Sequence, residues 1–236
     1  MDLPGLVLFG GLVGMQHALE ADHLAAVAAM SAEHGSRRRV VLRGAWWGAG
    51  HTLALFILCG AVVLFGLTIS ARTEAALEFG VGAMIVVLGG NVLWTALRRR
   101  IHFHVHHHGD HVRHVHAHSH EGEAVSHAHS GHDHAHPPAR FGRALAVGLV
   151  HGAAGSAGLL VLAVAAAESA WSALAYVAAF GAGSILGMAA LSLVASWPLG
   201  MLERGAGWLN AGSKLAIGVI AVFIGARLML ESTAGI

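Results

Sequence analysis

Apolar positions gather into six long runs, near residues 3–30, 44–67, 74–97, 143–166, 171–197 and 207–230. Each is long enough, as a helix, to cross a hydrocarbon core of about 30 Å. They are continuous rather than alternating, which argues against a β-barrel built from strands of about ten residues. The pattern predicts an all-α polytopic membrane protein with six transmembrane helices. It also divides the chain into three parts. Residues 1–100 and 141–236 hold three runs each, and the polar stretch 101–140 joins them as a loop.

The two halves repeat one another. His17-Ala-Leu-Glu-Ala-Asp-His-Leu in the first run stands opposite His151-Gly-Ala-Ala-Gly-Ser-Ala-Gly in the fourth. Trp47-Gly-Ala-Gly-His51 matches Phe180-Gly-Ala-Gly-Ser184, and the Gly82/Gly89 pair matches Gly218/Gly225. The offsets are 134, 133 and 136 residues, in the same order along the chain. Three spans per repeat is an odd number, so the halves must insert with opposite topology. Secondary transporters commonly use inverted repeats, with the substrate bound near the midplane at broken helices. The repeat predicts that His17 faces His151 and that His51 faces Ser184.

Composition agrees with the membrane class: 56% of the 236 residues are hydrophobic and 11% charged, against about 25% charged in soluble proteins. Arg37, Arg38, Arg39, Arg43, Arg98, Arg99, Arg100, Arg113, Arg140, Arg143 and Arg204 fall in or beside the loops after runs one, three and five. The other side has little beyond Arg72 and Arg227. The positive-inside rule then puts those loops in the cytoplasm and both termini outside, in a plasma (inner) membrane. With that explanation the arginines imply no nucleic-acid partner. No basic n-region or small-residue cleavage site precedes the first run, which is expected to remain in the mature protein. Cys59 is a lone cysteine, expected to be a buried hydrophobe.

Against this apolar background, His17-Ala-Leu-Glu-Ala-Asp-His23 places two imidazoles and two carboxylates in one span. Each ionisable group in hydrocarbon costs several kcal/mol, so such residues mark function. Imidazole and carboxylate without thiolate suit Ni²⁺, Co²⁺, Fe²⁺, Mn²⁺ or Zn²⁺. On a regular helix His17, Asp22 and His23 point to about 0°, 140° and 240°, while Glu20 sits about 60° from each histidine. One ion either takes part of the set or the helix is distorted there, as at a π-bulge or unwound turn. His51 and His151, each in another apolar run, are the candidates to complete the site. Candidate metal ligands are therefore His17, Glu20, Asp22, His23, His51 and His151. His34, in a basic loop, is expected to be solvated. Asn91, Ser156, Ser184 and Ser192 are expected to pack helices together. Lys214 and Arg227 are placed to snorkel, and the Trp46-Trp47 pair to sit in the interfacial aromatic belt.

The first motif resembles the HAxDADH motif of the nickel/cobalt transporter (NiCoT) family. Gly50-His51-Thr52 is similar to that family's GHS motif. Gly148-Leu-Val-His-Gly-Ala-Ala-Gly-Ser-Ala-Gly158 resembles the HGxxGSA segment of its short urease-associated (UreH-type) relatives. The resemblance implies that His17, Asp22, His23 and His51 recognise the metal. Glu20 replaces the family's first Asp, keeping the charge on a longer arm, and Thr52 replaces Ser. The acidic second-half motifs of the larger, roughly eight-span members are absent from this sequence.

Residues 102–136 hold fifteen of the twenty histidines. This tract cannot bury a core and is expected to be disordered without metal, binding several divalent ions weakly and interchangeably. It would act as a trap after import or a feeder for export.

The leading expectation is a secondary transporter of Ni²⁺ or Co²⁺ working by alternating access, uptake slightly favoured over efflux. The ion is cargo, and no resident cofactor or enzymatic activity is expected. No Walker A sequence is present, so the chain itself does not use ATP. The partners are the divalent ion and the lipid bilayer, with a cytoplasmic metallochaperone as a candidate. Zinc or iron carriage is the runner-up, although the paired HxxxE and HxxxD patterns of zinc carriers are missing. A non-transporting nickel-binding accessory protein is a further alternative. An intramembrane metal hydrolase ranks last: Glu20 could serve as its base, but nothing in the sequence resembles a substrate-channel motif.

Overall fold

The computed structural model describes residues 2–31, 37–67, 69–98, 102–108, 112–118, 141–154, 169–204 and 207–234. The first apolar run forms two helices, α1 (Leu3–His17) and α2 (Ala21–Ser31). They are broken at residues 18–20, where the Leu19 and Glu20 amides donate to the carbonyls of Gln16 and His17 at 2.9 and 3.1 Å. These bonds span three residues rather than four, so the turn is tightened and the helix axis is interrupted. The break lies inside the motif whose angular spacing a straight helix cannot reconcile.

Helices α3 (Arg37–Phe65) and α4 (Ala71–Arg98) follow, then α5 (Phe141–Ala153), α6 (Ala170–Arg204) and α7 (Gly207–Ala234). Among the described residues, four stretches are long and apolar enough to cross a membrane: Arg37–Phe65, Ala71–Arg98, Ala170–Pro198 and Leu209–Ala234. The chain is a multi-pass membrane protein. Helix α5 covers only the start of the fourth apolar run. It ends one residue after Gly152, whose missing side chain weakens helix propensity. The rest of that run, with Ser156, lies outside the described residues, as does His34.

The histidine-rich segment departs from the expectation of an unstructured chain. It contains strands β1 (His102–His108) and β2 (Val112–His118), paired antiparallel with His102 opposite His118, His104 opposite His116 and His106 opposite His114. The alternation of histidine with valine, phenylalanine and alanine has the period of a strand. The remainder of the tract, 119–136, lies outside the described residues.

Helix α3 packs against both α5 and α6, α1 lies along α6, and α4 lies along α7. Lipid supplies no hydrophobic drive for these contacts, so close backbone approach at small residues carries them. A Cβ at Gly14 would collide with the Phe180 carbonyl of α6, and one at Gly148 with the Trp47 carbonyl of α3. Gly82 meets Gly225, and Gly89 meets Gly218, along the α4–α7 seam. Ser184, fully buried, donates to the Gly14 carbonyl at 3.2 Å, and Ser192 packs beside Gly44. Cys59 is buried among Leu6, Leu55, Tyr176 and Phe180, in the hydrophobic role expected of it.

Candidate metal centre

The break after α1 sets His17 in the last turn of α1 and Asp22 in the first turn of α2. His151 likewise occupies the last turn of α5. A helix C-terminus carries partial negative charge and favours a cation, whereas an N-terminus favours a carboxylate. Both preferences are met here without any further residue. Packing of α3 against α5 brings His51 to the same place: a Cβ at Gly152, next to His151, would touch the His51 carbonyl.

Four imidazoles converge. His23 lies at the middle, with ring centroids 4.5 Å from His17, 5.3 Å from His51 and 4.2 Å from His151. His17 and His51 are 5.2 Å apart. All four are buried, and His51 has no exposed surface.

The two carboxylates hold the rings rather than filling the middle. His17 Nδ1 donates to Glu20 Oε1 at 2.7 Å. Asp22 Oδ1 accepts from the His23 amide at 2.9 Å and from His23 Nδ1 at 3.0 Å, while Oδ2 accepts from His151 Nε2 at 2.9 Å. With these tautomers, the opposite nitrogens are left as lone-pair donors: His17 Nε2, His23 Nε2 and His151 Nδ1. Those atoms, with both nitrogens of His51, are buried and lack a hydrogen-bond partner among the described residues. Metal-binding histidines characteristically donate their other N–H to a carboxylate in this way. The donors form two sets, His17/His23/His51 and Asp22/His23/His151, each with its ligand atoms within 4.8 Å of one another. Bonds of about 2.1 Å place opposite ligands about 4.2 Å apart, so either set closes on an ion with small side-chain movements.

No family model and no solved structure matches the chain. The chain is similar to a urease accessory protein. That relative is UreH of Bacillus sp. (strain TB-90), 29% identical over 204 residues, covering 86% of this chain and 82% of the relative. The likeness runs through both halves rather than one motif.

Five of the six sequence candidates contribute to the two donor sets, Glu20 lies outside both and bonds His17, and the grouping differs from the expected facing pairs. His151 meets Asp22 and His23, because the kink inserts the first turn of α2 beside α5. Ser184 bonds the Gly14 carbonyl instead of facing His51. Trp47 also departs from expectation. It is fully buried, its ring 5.4 Å from His23 and 5.5 Å from His151, rather than in the interfacial belt. Only Trp46 is exposed, at 44%. The signal for Trp47 was present: it precedes His51 by four residues and shares its helix face. Phe180, 5.3 Å from His17, closes the other side.

Proposed function

We propose that the chain is a secondary transporter of Ni²⁺ or Co²⁺, with the ion bound between two inverted three-helix repeats and carried by alternating access, uptake favoured. One observation carries this: four buried imidazoles from both halves present unpartnered nitrogens at a broken helix. Imidazole donors suit nickel and cobalt, and nickel binds such sites more tightly than the other candidates apart from copper. The motif resemblance to nickel/cobalt transporters and the similarity to a urease accessory protein support the same ion.

The inverted repeat draws support from the packing. Exchanging the two halves turns the α1–α6 contact into α5–α3, and leaves α3–α6 and α4–α7 in place. Individual contacts follow the same exchange. Gly14 on Phe180 corresponds to Gly148 on Trp47, and Gly48 on Ile185 to Gly181 on Thr52. His17 and His151, 134 residues apart, both end their helices.

Toward the arginine-rich side, assigned to the cytoplasm by the positive-inside rule, a small cavity is lined by Met30, Arg43, Asn91 and Arg143 among others. Arg43 and Arg143 each precede a site histidine by eight residues, about 12 Å along their helices. Arg43 Nη1 donates to the Met30 carbonyl at 3.0 Å, tying α3 to the end of α2.

Flux into proteoliposomes of known orientation, comparing Ni²⁺, Co²⁺ and Zn²⁺, tests the proposal. Nickel or cobalt moves faster than zinc, and no flux of any ion removes the transport reading. An accessory protein that binds nickel without moving it is distinguished in cells. His17→Ala or Asp22→Ala abolishes metal accumulation if the chain transports and leaves it unchanged if it does not.

The histidine-rich loop is a separate, weaker store. Deleting 102–136 leaves folding and the membrane centre intact, measured by thermal unfolding and residual flux. An unfolded deletion protein contradicts this. Neutral imidazole is the ligand, so metal held by the loop is released as pH falls through about 6.5. The difference in bound metal between the full and deleted chains, titrated from pH 7.5 to 5.5, reads this directly.

A further inference from the structure

The centre contains two overlapping sets of ligands, and their single common member is His23. The first set, His17, His23 and His51, comes entirely from α1, α2 and α3. Its three rings are buried, and its free nitrogens lack partners among the described residues. The second set, Asp22, His23 and His151, joins α2 to α5 across the two halves. It contains a carboxylate with its side chain 26% exposed. Its ligand atoms are bonded to one another in the absence of an ion.

We infer that these are two alternative positions for one ion, which passes between them from one side of the His23 ring to the other. The inference rests on the transport reading for its purpose, though the two positions stand on geometry alone. His23 faces Asp22 with Nδ1, and its Nε2 is unpartnered. An ion at the Asp22 position takes His23 Nδ1 and His151 Nε2, whose protons are then carried on His23 Nε2 and His151 Nδ1. An ion at the His51 position takes His23 Nε2, and the two protons return to His23 Nδ1 and His151 Nε2. No net proton is gained or lost. Because one ring cannot present a lone pair on both nitrogens while neutral, the positions exclude one another.

The two positions differ chemically in a useful sense. The partly exposed carboxylate set attracts a hydrated dication by charge and belongs to the entry step. The buried set offers three neutral imidazoles and discriminates by ligand type, favouring nickel and cobalt over hard oxygen-seeking ions. Because the two positions lie on either side of one ring, the ion crosses only a short stretch of low-dielectric interior, where desolvation is most costly.

The test is Co²⁺ binding and its visible absorption spectrum, using the full-length chain with the loop histidines between 102 and 136 changed His→Gln. That parent must first match the unaltered chain in flux. His17→Ala and His51→Ala remove one position. Asp22→Ala and His151→Ala remove the other, and His23→Ala removes both. The first four variants each retain one Co²⁺, within about a hundredfold of the parent affinity, and the two pairs give different spectra. His23→Ala loses Co²⁺ binding by at least about a thousandfold, and all five lose flux. Equal loss of binding in all five, or one spectrum common to both pairs, overturns the two positions in favour of a single composite site. His17→Gln and His151→Gln serve where an alanine variant does not fold. If the parent moves no ion but binding still divides this way, the transport reading falls and the two positions stand. If it moves ions but binding does not divide, the reverse holds.

Discussion

Replacing His51 with leucine yields a chain that is more stable without metal and unable to carry it. His51 is wholly buried, and neither ring nitrogen has a hydrogen-bond partner among the described residues. A buried polar group left unsatisfied costs about 1–3 kcal/mol. Leucine has comparable bulk and removes that cost, so His51→Leu gains about 1–2 kcal/mol of metal-free stability. It also removes one of the three donors in the all-imidazole set, and metal flux falls at least about a hundredfold. Thermal unfolding in chelator, paired with ⁶³Ni²⁺ uptake, reads both effects. A loss of metal-free stability would mean that His51 serves packing and not an ion. Adding Ni²⁺ reverses the order, since a ligand bound only by the folded state stabilises it. The unaltered chain then melts higher than the variant.

The second large effect belongs to a residue with no chemistry of its own. Gly148→Leu prevents α5 from seating on α3. The first atom of any side chain there meets the Trp47 carbonyl, with the Trp47 carbonyl carbon and the His51 amide nitrogen each 2.9 Å away. These are backbone atoms, so no rotamer change relieves the contact, and the helices must separate. Overpacking of this kind costs about 1–3 kcal/mol or more. It also draws His151 away from Asp22 and His51. Gly14→Leu does the same to the α1–α6 seam through the Phe180 carbonyl. Gly90→Leu is the control, because nothing lies within 4 Å of a Cβ there. Detergent-solubilised yield by size exclusion, with Ni²⁺ accumulation in cells, separates the cases. The first two variants lose both and Gly90→Leu keeps both.

Much of this was legible beforehand because the bilayer simplifies the problem. Apolar runs become helices where no water is present to satisfy the backbone, so the boundaries of α3, α4, α6 and α7 follow the composition closely. The broken first helix was also foreshadowed. Residues 17, 22 and 23 cannot share a face on a straight helix, and the tightened turn at 18–20 is one of the distortions that the angular mismatch allowed. Trp47 departs from its expectation because a tryptophan pair next to a basic loop fits the interfacial pattern. Periodicity says which face a residue occupies, but only packing says whether that face is covered. The paired strands His102–His108 and Val112–His118 depart from the sequence expectation for a related reason. A polar tract has no core to bury, and composition alone does not weigh cross-strand pairing.

The sequence by itself determined the class of molecule, the six candidate ligands and the family of ions they suit. Those properties depend on residue types and local spacing, which the chain carries wherever it folds. Only the tertiary structure decided how the ligands divide. Helix packing at Gly148 and Gly14 sets which rings meet, and that made Asp22 the link between His23 and His151. It made Glu20 the support of His17, and it placed His23 within reach of all three other imidazoles. Contacts between residues 129 positions apart, such as His151 with Asp22, are fixed by the shapes of the two halves together. No local pattern records them.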